Sequence, residues 1–338
     1  MSRVTPKPCY ATAKLSNTVL EPKRNLRLYR DKKVCVIVRA FNEERLIGRV
    51  IETMPAFVDW IVIVDDCSKD STIQVAKSSN DPRVIVIAQE VNTGAGGATV
   101  SGHAKALELG ADIHVVIDGD NQMDTSVMPR LMDPLIDEGY GFSKANRFFS
   151  SSSYEGMPRH RVFGNMVLTL LTKVSSGYWN TIDPQNGYTA MTRATAQSIP
   201  WARVAQRYEF ENDQLIWLNI ANTRIVDVPI EAIYGDEVSG IRLHIVVPRI
   251  LGTLFKGFWR RMWLKHMLWS FSPVALFFLT GSVLFTFGII VGIWDVAVAA
   301  SAPGTVTTGS WLFSVAPALL GSQLLIQAVA TDIQNTPK

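Results

Sequence analysis

The sequence predicts an α/β protein: a mostly parallel sheet domain followed by a pair of membrane-spanning helices. Three observations carry this. Short apolar runs of β type alternate with helical stretches in the first half of the chain, and a polar cluster follows each run. Between residues 267 and 331 the only charged side chain is Asp295. At 338 residues the chain exceeds one minimal domain and fits a large α/β domain plus an additional part.

The elements follow in order. Residues 1–30 scatter Lys7, Lys14, Lys23 and Arg24 among Thr, Ser and Pro, with no apolar leader-like run, and predict a flexible N-terminal arm. A domain is expected over 31–240. Its first strand is Val34, Cys35, Val36, Ile37 and Val38, followed by the loop 39–44 and a helix to about Pro55. The run 60–64 is a second strand, ending at Asp65 and Asp66, and Ser68, Lys69, Asp70 and Ser71 lead into another helix. The third strand is 84–87. After a Gly-rich turn comes a helix at 97–109, and 113–117 is the fourth strand. This order implies parallel pairing, with functional groups gathered at the carboxyl ends of the strands. Asn42 with Glu43, Asp65 with Asp66, Asn92 to Gly94, and Asp118 with Asp120 all occupy that end.

Residues 267–332 predict a hairpin of two spans, 267–294 and 310–330, each reaching the roughly 20 residues a spanning helix needs. A pair of buried core helices is the alternative, but soluble domains seldom end in so long a stretch nearly free of charge. Arg242, Arg249, Lys256, Arg260, Arg261 and Lys265 precede the first span, while the connecting loop has no Lys or Arg. The positive-inside rule then puts the large domain on the cytoplasmic side of the cell membrane. Residues 241–266 predict amphipathic helices in the bilayer interface. Arg249, Thr253, Lys256 and Arg260 form one stripe, and Trp259, Trp263 and Trp269 reach headgroup depth. Packing of that helix on the sheet domain is the competing reading. A net charge of +3 gives no ground for a nucleic-acid partner. Cys9, Cys35 and Cys67 and the five histidines lack metal-ligand spacing.

The most informative residues are Asp118 and Asp120, at the end of the fourth strand with Gln122 beside them. Two hard oxygen donors and an amide oxygen suit Mg²⁺ or Mn²⁺, which takes one or two carboxylates and completes its shell with phosphate oxygens and water. A solvated Asp-Gly-Asp turn is the bland alternative. Gly94, Gly96 and Gly97 imitate a dinucleotide fingerprint, but they follow the third strand rather than the first, and no ribose-binding acid ends the next strand.

Residues 38–44, 65–71, 92–98 and 118–124 together resemble the successive motifs of family 2 glycosyltransferases. Asn146 to Phe148, Asp183 to Gly187, Phe210 to Asp213 and 228–239 resemble the polyprenyl-phosphate branch, the dolichol-phosphate-mannose-synthase-like enzymes, in which two C-terminal spans also occur. The resemblance implies a GT-A-type domain and an inverting, metal-dependent transfer of a sugar from a nucleotide-sugar donor to a polyprenyl phosphate. It implies that Ala40, Phe41, Asn42, Glu43, Asp66 and Gly94 serve the nucleotide, and that Asp118, Asp120 and Gln122 hold Mg²⁺ or Mn²⁺ on the diphosphate. Arg147, Arg161 and Asn165 would receive the lipid phosphate, Asp183 and Glu211 would sit with Asp120 at the reacting atoms, and Ser239 and Arg242 would close over the donor.

Three positions depart from the pattern: Cys67 replaces a common Gly, Asn165 a frequent Ser, and Thr189 lies near a position often held by Arg. A processive polysaccharide synthase is the second reading, although that branch carries Gln-x-x-Arg-Trp where this chain has only Gln206, Arg207 and Tyr208. A non-catalytic membrane scaffold that retains the fold is the third. The sequence leaves the sugar, the base and homo-oligomerisation open.

Overall fold

The computed structural model describes residues 28–147, 159–231, 243–302 and 304–337. Its seven-stranded sheet has the order β3-β2-β1-β4-β6-β5-β7. The first four strands are β1 (Val34–Ala40), β2 (Trp60–Asp65), β3 (Val84–Ala88) and β4 (Ile113–Asp118). They pair in parallel, and the helices α1 (Ile47–Glu52), α2 (Thr72–Ser78) and α3 (Gly94–Glu108) connect them. The chain steps outward from β1 to β3 and then returns to the other side of β1 as β4. The order therefore reverses between β1 and β4, and the crevice at their carboxyl ends is the ligand position of an open α/β sheet.

The remaining strands were not legible in the sequence. After α4 (Met128–Asp137) come β5 (Phe142–Asn146), α5 (Arg159–Ser176) and β6 (Thr189–Thr192). Then follow α6 (Arg193–Ser198), α7 (Phe210–Ile220) and β7 (Ile225–Pro229). β6 runs antiparallel between β4 and β5, and β7 pairs in parallel with β5. β5 carries Ser, Lys and Asn in five fully buried residues, and β6 has only four residues, so neither offers the apolar run by which a buried strand is recognised.

Strand alternation divides the core. Val34, Val36 and Val38 of β1 join Ile47, Val50 and Leu131 on one face, while Cys35 and Ile37 join Ala98 and Ala106 of α3 on the other. A further core forms where α7 packs with α8 (Leu243–Arg261), uniting Leu215, Ile216 and Leu218 with Ile250 and Leu254.

α8 packs on the sheet domain along one face, and its outer face leaves Leu251, Phe255 and Trp259 exposed. Two of the cations expected near headgroups are committed internally. Arg260 pairs with Asp213 and lies 4.3 Å over the Trp217 ring, and Arg261 is buried against Asp332. In the last turn of α8 both are held by protein carboxylates.

A π-helical stretch, Met262–Trp269, leads to the break before Pro273. Two helices long and apolar enough to cross a membrane follow, α9 (Pro273–Ser301) and α10 (Thr308–Gln334). The first starts at Pro273 rather than Met267, because the ring presets φ at the first helical position. Asp295 lies inside α9, where Ser310 in the first turn of α10 donates to it at 2.5 Å. Leu28 to Lys33 are also described: the Tyr29 hydroxyl donates to Asp133, and Arg30 pairs with Asp133 and Asp137 of α4.

Candidate functional site

Three of the four parallel strands are followed within three residues by a non-glycine residue of left-handed conformation: Asn42 after β1 (φ 59°), Cys67 after β2 (φ 64°) and Asn121 after β4 (φ 55°). Such turns redirect the chain abruptly and stack the loops over one crevice. Asn tolerates the conformation because its side chain bonds locally, whereas Cys does not, which explains why a Gly is common where Cys67 stands.

The loops are stitched to one another. Asn42 N–H donates to Ser68 Oγ at 2.8 Å, and Asn42 Oδ1 accepts from Lys69 N–H at 2.9 Å. Ala40 carbonyl accepts from Asp66 N–H at 2.9 Å, and Thr72 Oγ1 accepts from Glu43 N–H at 2.8 Å. Asp66 is 4 % exposed and accepts from Thr93 N–H at 2.7 Å and Gly94 N–H at 2.8 Å. It therefore sits at the N-terminus of α3, where the helix dipole favours an anion. The result is a cleft of about 420 Å³ lined by Phe41, Asp66, Cys67, Lys69, Asn92, Gly94, Arg207 and Tyr208. Phe41, Asp66 and Gly94 thus share one pocket, with Ala40, Asn42 and Glu43 in the loops that form it. Gly94 contributes surface rather than a phosphate-binding N–H, since Asp66 takes that hydrogen.

Beside the cleft, Arg39 and Asp118 are register partners across the β1–β4 switch point. Arg39 Nε donates to Asp118 Oδ1 at 2.8 Å, and its Nη2 lies 2.6 Å from the same atom. Its Nη1 reaches Glu211 Oε1 at 3.3 Å. Burial works against the Arg39 charge, but Asp118 and then Glu211 more than offset it, so its pKa stands above the ordinary value. Burial pushes the Glu211 carboxyl up, and Arg39 opposes the shift. Arg39 was missed as a site residue. Its signal was a cation at the end of a strand that is buried along its whole length.

Asp120 Oδ1 accepts from Gln122 N–H at 3.0 Å, holding the Asp-Gly-Asp turn. Among the described residues no cluster of three His, Cys, Asp or Glu could ligate a metal. The donor set nonetheless fits a cation that completes its shell with phosphate and water. Asp118 is one-third exposed, and the space beside its Oδ2 is kept open by Gly187, where a Cβ would fall 3.3 Å from Oδ2 and 2.1 Å from Arg39 Nη2.

Gly187 belongs to a loop that also carries Asp183. Asp183 is 1 % exposed and accepts from Arg147 Nε at 2.9 Å, Arg147 Nη2 at 3.3 Å and Asn186 Nδ2 at 3.3 Å. Its carbonyl accepts from Lys144 Nζ, which also pairs with Asp227 at 3.3 Å. Burial pulls Lys144 down and pushes Asp227 up, each opposed by the other's charge. Lys144 and Asp227 were missed because they stand in β5 and β7, two of the three strands the sequence pattern did not disclose. Asn165 is exposed on α5. Arg161 lies on that helix, with its side chain outside the described residues, as are Ser239 and Arg242 entirely.

The architecture is an open, mixed α/β sheet with acidic groups and a cleft at its switch point, the class of fold that binds ligands at that edge. The model of glycosyl transferase family 2 matches residues 35–199. UDP-N-acetylglucosamine–dolichyl-phosphate N-acetylglucosaminyltransferase of Methanococcus voltae is 31 % identical over 250 residues, covering 70 % of this chain and 97 % of that protein. Undecaprenyl-phosphate mannosyltransferase of Micrococcus luteus is 27 % identical over 59 % of this chain and 82 % of its own length. In structure, glucosyl-3-phosphoglycerate synthase of Mycobacterium tuberculosis, crystallised with Mn²⁺, UDP-glucose and phosphoglyceric acid, superposes with a TM-score of 0.54 at 22 % identity. The match covers 68 % of this chain and 80 % of that one. The chain belongs to glycosyltransferase family 2. Within it, these relatives support the polyprenyl-phosphate branch.

Proposed function

We propose that the protein transfers a sugar, with inversion, from a nucleotide-sugar donor to a polyprenyl phosphate at the cytoplasmic face of a membrane. The observation that carries this is the joining of the strand-end site and the apolar hairpin in one body by the buried Arg261–Asp332 pair. A soluble donor and a lipid acceptor need both. N-acetylglucosamine on UDP is the favoured donor, since the Methanococcus voltae relative is matched over nearly its whole length and is named for it.

The residues divide the work. Phe41 and Asp66 hold the nucleoside end of the donor. Asp118, Asp120 and Gln122 would hold Mg²⁺ or Mn²⁺, which when bound stabilises the negative charge developing on the leaving diphosphate. Arg39 fixes Asp118 and Glu211 in place. A phosphomonoester with a second pKa of about 6 is mostly dianionic at neutral pH and needs no strong base. Arg147, 39 % exposed at its side chain, offers that dianion a guanidinium while its other edge rests on Asp183. Arg161 and Asn165 on α5, and Ser239 and Arg242 over the donor, complete the assignment.

Membranes carrying the protein, given radiolabelled UDP-N-acetylglucosamine or GDP-mannose and polyprenyl phosphate, are expected to yield an organic-extractable, mild-acid-labile product. A polymer would instead support a processive synthase, and no turnover a scaffold. Asp120→Ala is expected to abolish transfer and leave thermal unfolding unchanged. Full activity of that variant, or in excess chelator, would remove the metal from the reading.

A further inference from the structure

The loop between α6 and α7 reaches the donor cleft from the far side of the sequence. Gln206 carbonyl accepts from Gly97 N–H at 2.9 Å. A Cβ on Gly94 would fall 2.9 Å from Gln206 O, and one on Gly96 would fall 2.6 Å from Phe210 Cβ and 2.7 Å from Gln206 O. These are closer than a side chain tolerates. The Gly-rich motif is thus a seat for residues 206–210, and the α3 N–H groups of Gly94 and Gly97 are spent on Asp66 and Gln206 rather than offered to phosphate.

So seated, the loop places Arg207 and Tyr208 in the cleft wall beside Phe41, Asp66 and Lys69. Tyr208 is 53 % exposed and Phe41 45 %, a large apolar area for each to leave in water in an otherwise polar cleft. Arg207 is exposed and held in place by its Nη2, which donates to Asn92 O at 3.4 Å. The polar lining is two cationic donors, Lys69 and Arg207, with Asn92 and with Asp66, whose two oxygens already accept from Thr93 and Gly94. Two cationic donors suit the carbonyl oxygens of a base edge, O4 of uracil or O6 of guanine. At that position cytosine and adenine carry an amino group instead.

We propose that Arg207 and Tyr208 determine nucleoside specificity: Tyr208 stacks on the donor base and Arg207 donates to its carbonyl edge. This rests on the assignment of the cleft to the donor.

The test is calorimetric titration of the full-length protein in detergent with UDP, GDP, CDP and ADP. Wild type is expected to bind UDP or GDP at least tenfold more tightly than CDP and ADP. Tyr208→Ala is expected to weaken the preferred nucleotide about tenfold, as loss of base–aromatic stacking does, and Tyr208→Phe to retain it. Arg207→Gln is expected to collapse the preference by weakening UDP or GDP while leaving CDP unchanged. A merely structural Arg207 would weaken all four alike, and that result overturns its part in the proposal. Tyr208→Ala and Arg207→Gln binding like wild type would overturn the whole proposal and leave the donor cleft standing. A wild-type protein that binds none of the four would remove the donor assignment itself, and this proposal with it.

Discussion

Arg39 is buried between two carboxylates that the sequence places far apart, Asp118 on β4 and Glu211 on α7. Removing its charge leaves Glu211 buried without a partner, and breaking one side of such a pair typically costs about 3–5 kcal/mol. Arg39→Met is therefore expected to lower the unfolding temperature and abolish transfer. Adding Glu211→Gln is expected to recover part of the stability and none of the activity, and a double-mutant cycle of thermal unfolding measures the coupling. Cys67 is the opposite case, a residue at odds with its backbone. Left-handed conformation costs a non-glycine residue roughly 1–2 kcal/mol, and Gly's larger unfolded-state entropy returns part of that. Cys67→Gly is expected to be neutral or stabilising by up to about 1 kcal/mol, read as a raised unfolding midpoint; a clear loss would show that its Sγ contact with Glu90 O matters more. The motifs singled out Cys67 and passed over Arg39, and only the fold shows that one is a strained turn and the other a clamp.

At the level of elements, α3 and β4 meet through two buried histidines. His103 Nδ1 and His114 Nδ1 are 3.1 Å apart, and the Trp201 ring stacks on His103 at 4.6 Å. Burial holds His103 well below its ordinary value, with His114 adding to the effect. Burial also brings His114 down to about 4, Arg193 assisting while the Ala111 backbone and Asp112 oppose. Below about pH 6.5 the unfolded chain takes up protons that the folded pair refuses, so stability is complete above that pH and falls as pH drops toward 4. The slope is at most about 1.4 kcal/mol per pH unit for each histidine. Unfolding temperature is expected to fall between pH 7 and pH 5, and His103→Leu combined with His114→Val to flatten that dependence; an unchanged slope would place its origin elsewhere. The sequence had offered these histidines only as ordinary residues without ligand spacing. It disclosed β1 to β4 through apolar runs but not β5 to β7, whose buried Lys144 and Asp227 neutralise each other across strands instead of following a hydrophobic pattern.

For the whole molecule, the decisive contact ties the second hairpin helix to the sheet domain. Arg261 Nη1 and Nη2 donate to Asp332 at 2.7 and 3.0 Å, Trp179 Nε1 donates to it at 3.0 Å, and Arg261 also reaches the carbonyls of Val174 and Ser175. Asp332→Ala strands the buried guanidinium and is expected to loosen the hairpin from the domain. Transfer to a long polyprenyl phosphate in bilayers should then fall at least tenfold more than transfer to a short, water-dispersed analogue. Equal losses on the two acceptors would reduce the pair to a stability contact. The apolar outer face of α8, with Phe255 and Trp259 exposed, lies on the same helix as Arg261.

By itself the sequence determined the parallel half of the sheet, the polar strand ends, the apolar hairpin and the family motifs, because each is written in local periodicity or in residues adjacent along the chain. The tertiary structure decided how those parts act. It made Arg39 the clamp of Asp118, turned the Gly-rich motif into the seat of residues 206–210, paired Arg147 with Asp183 and bolted α10 to the domain through Arg261. The reason is physical: a buried charge needs a partner, and the ion-pair partners here lie from 36 to 172 residues apart, a separation over which no local pattern specifies who meets whom.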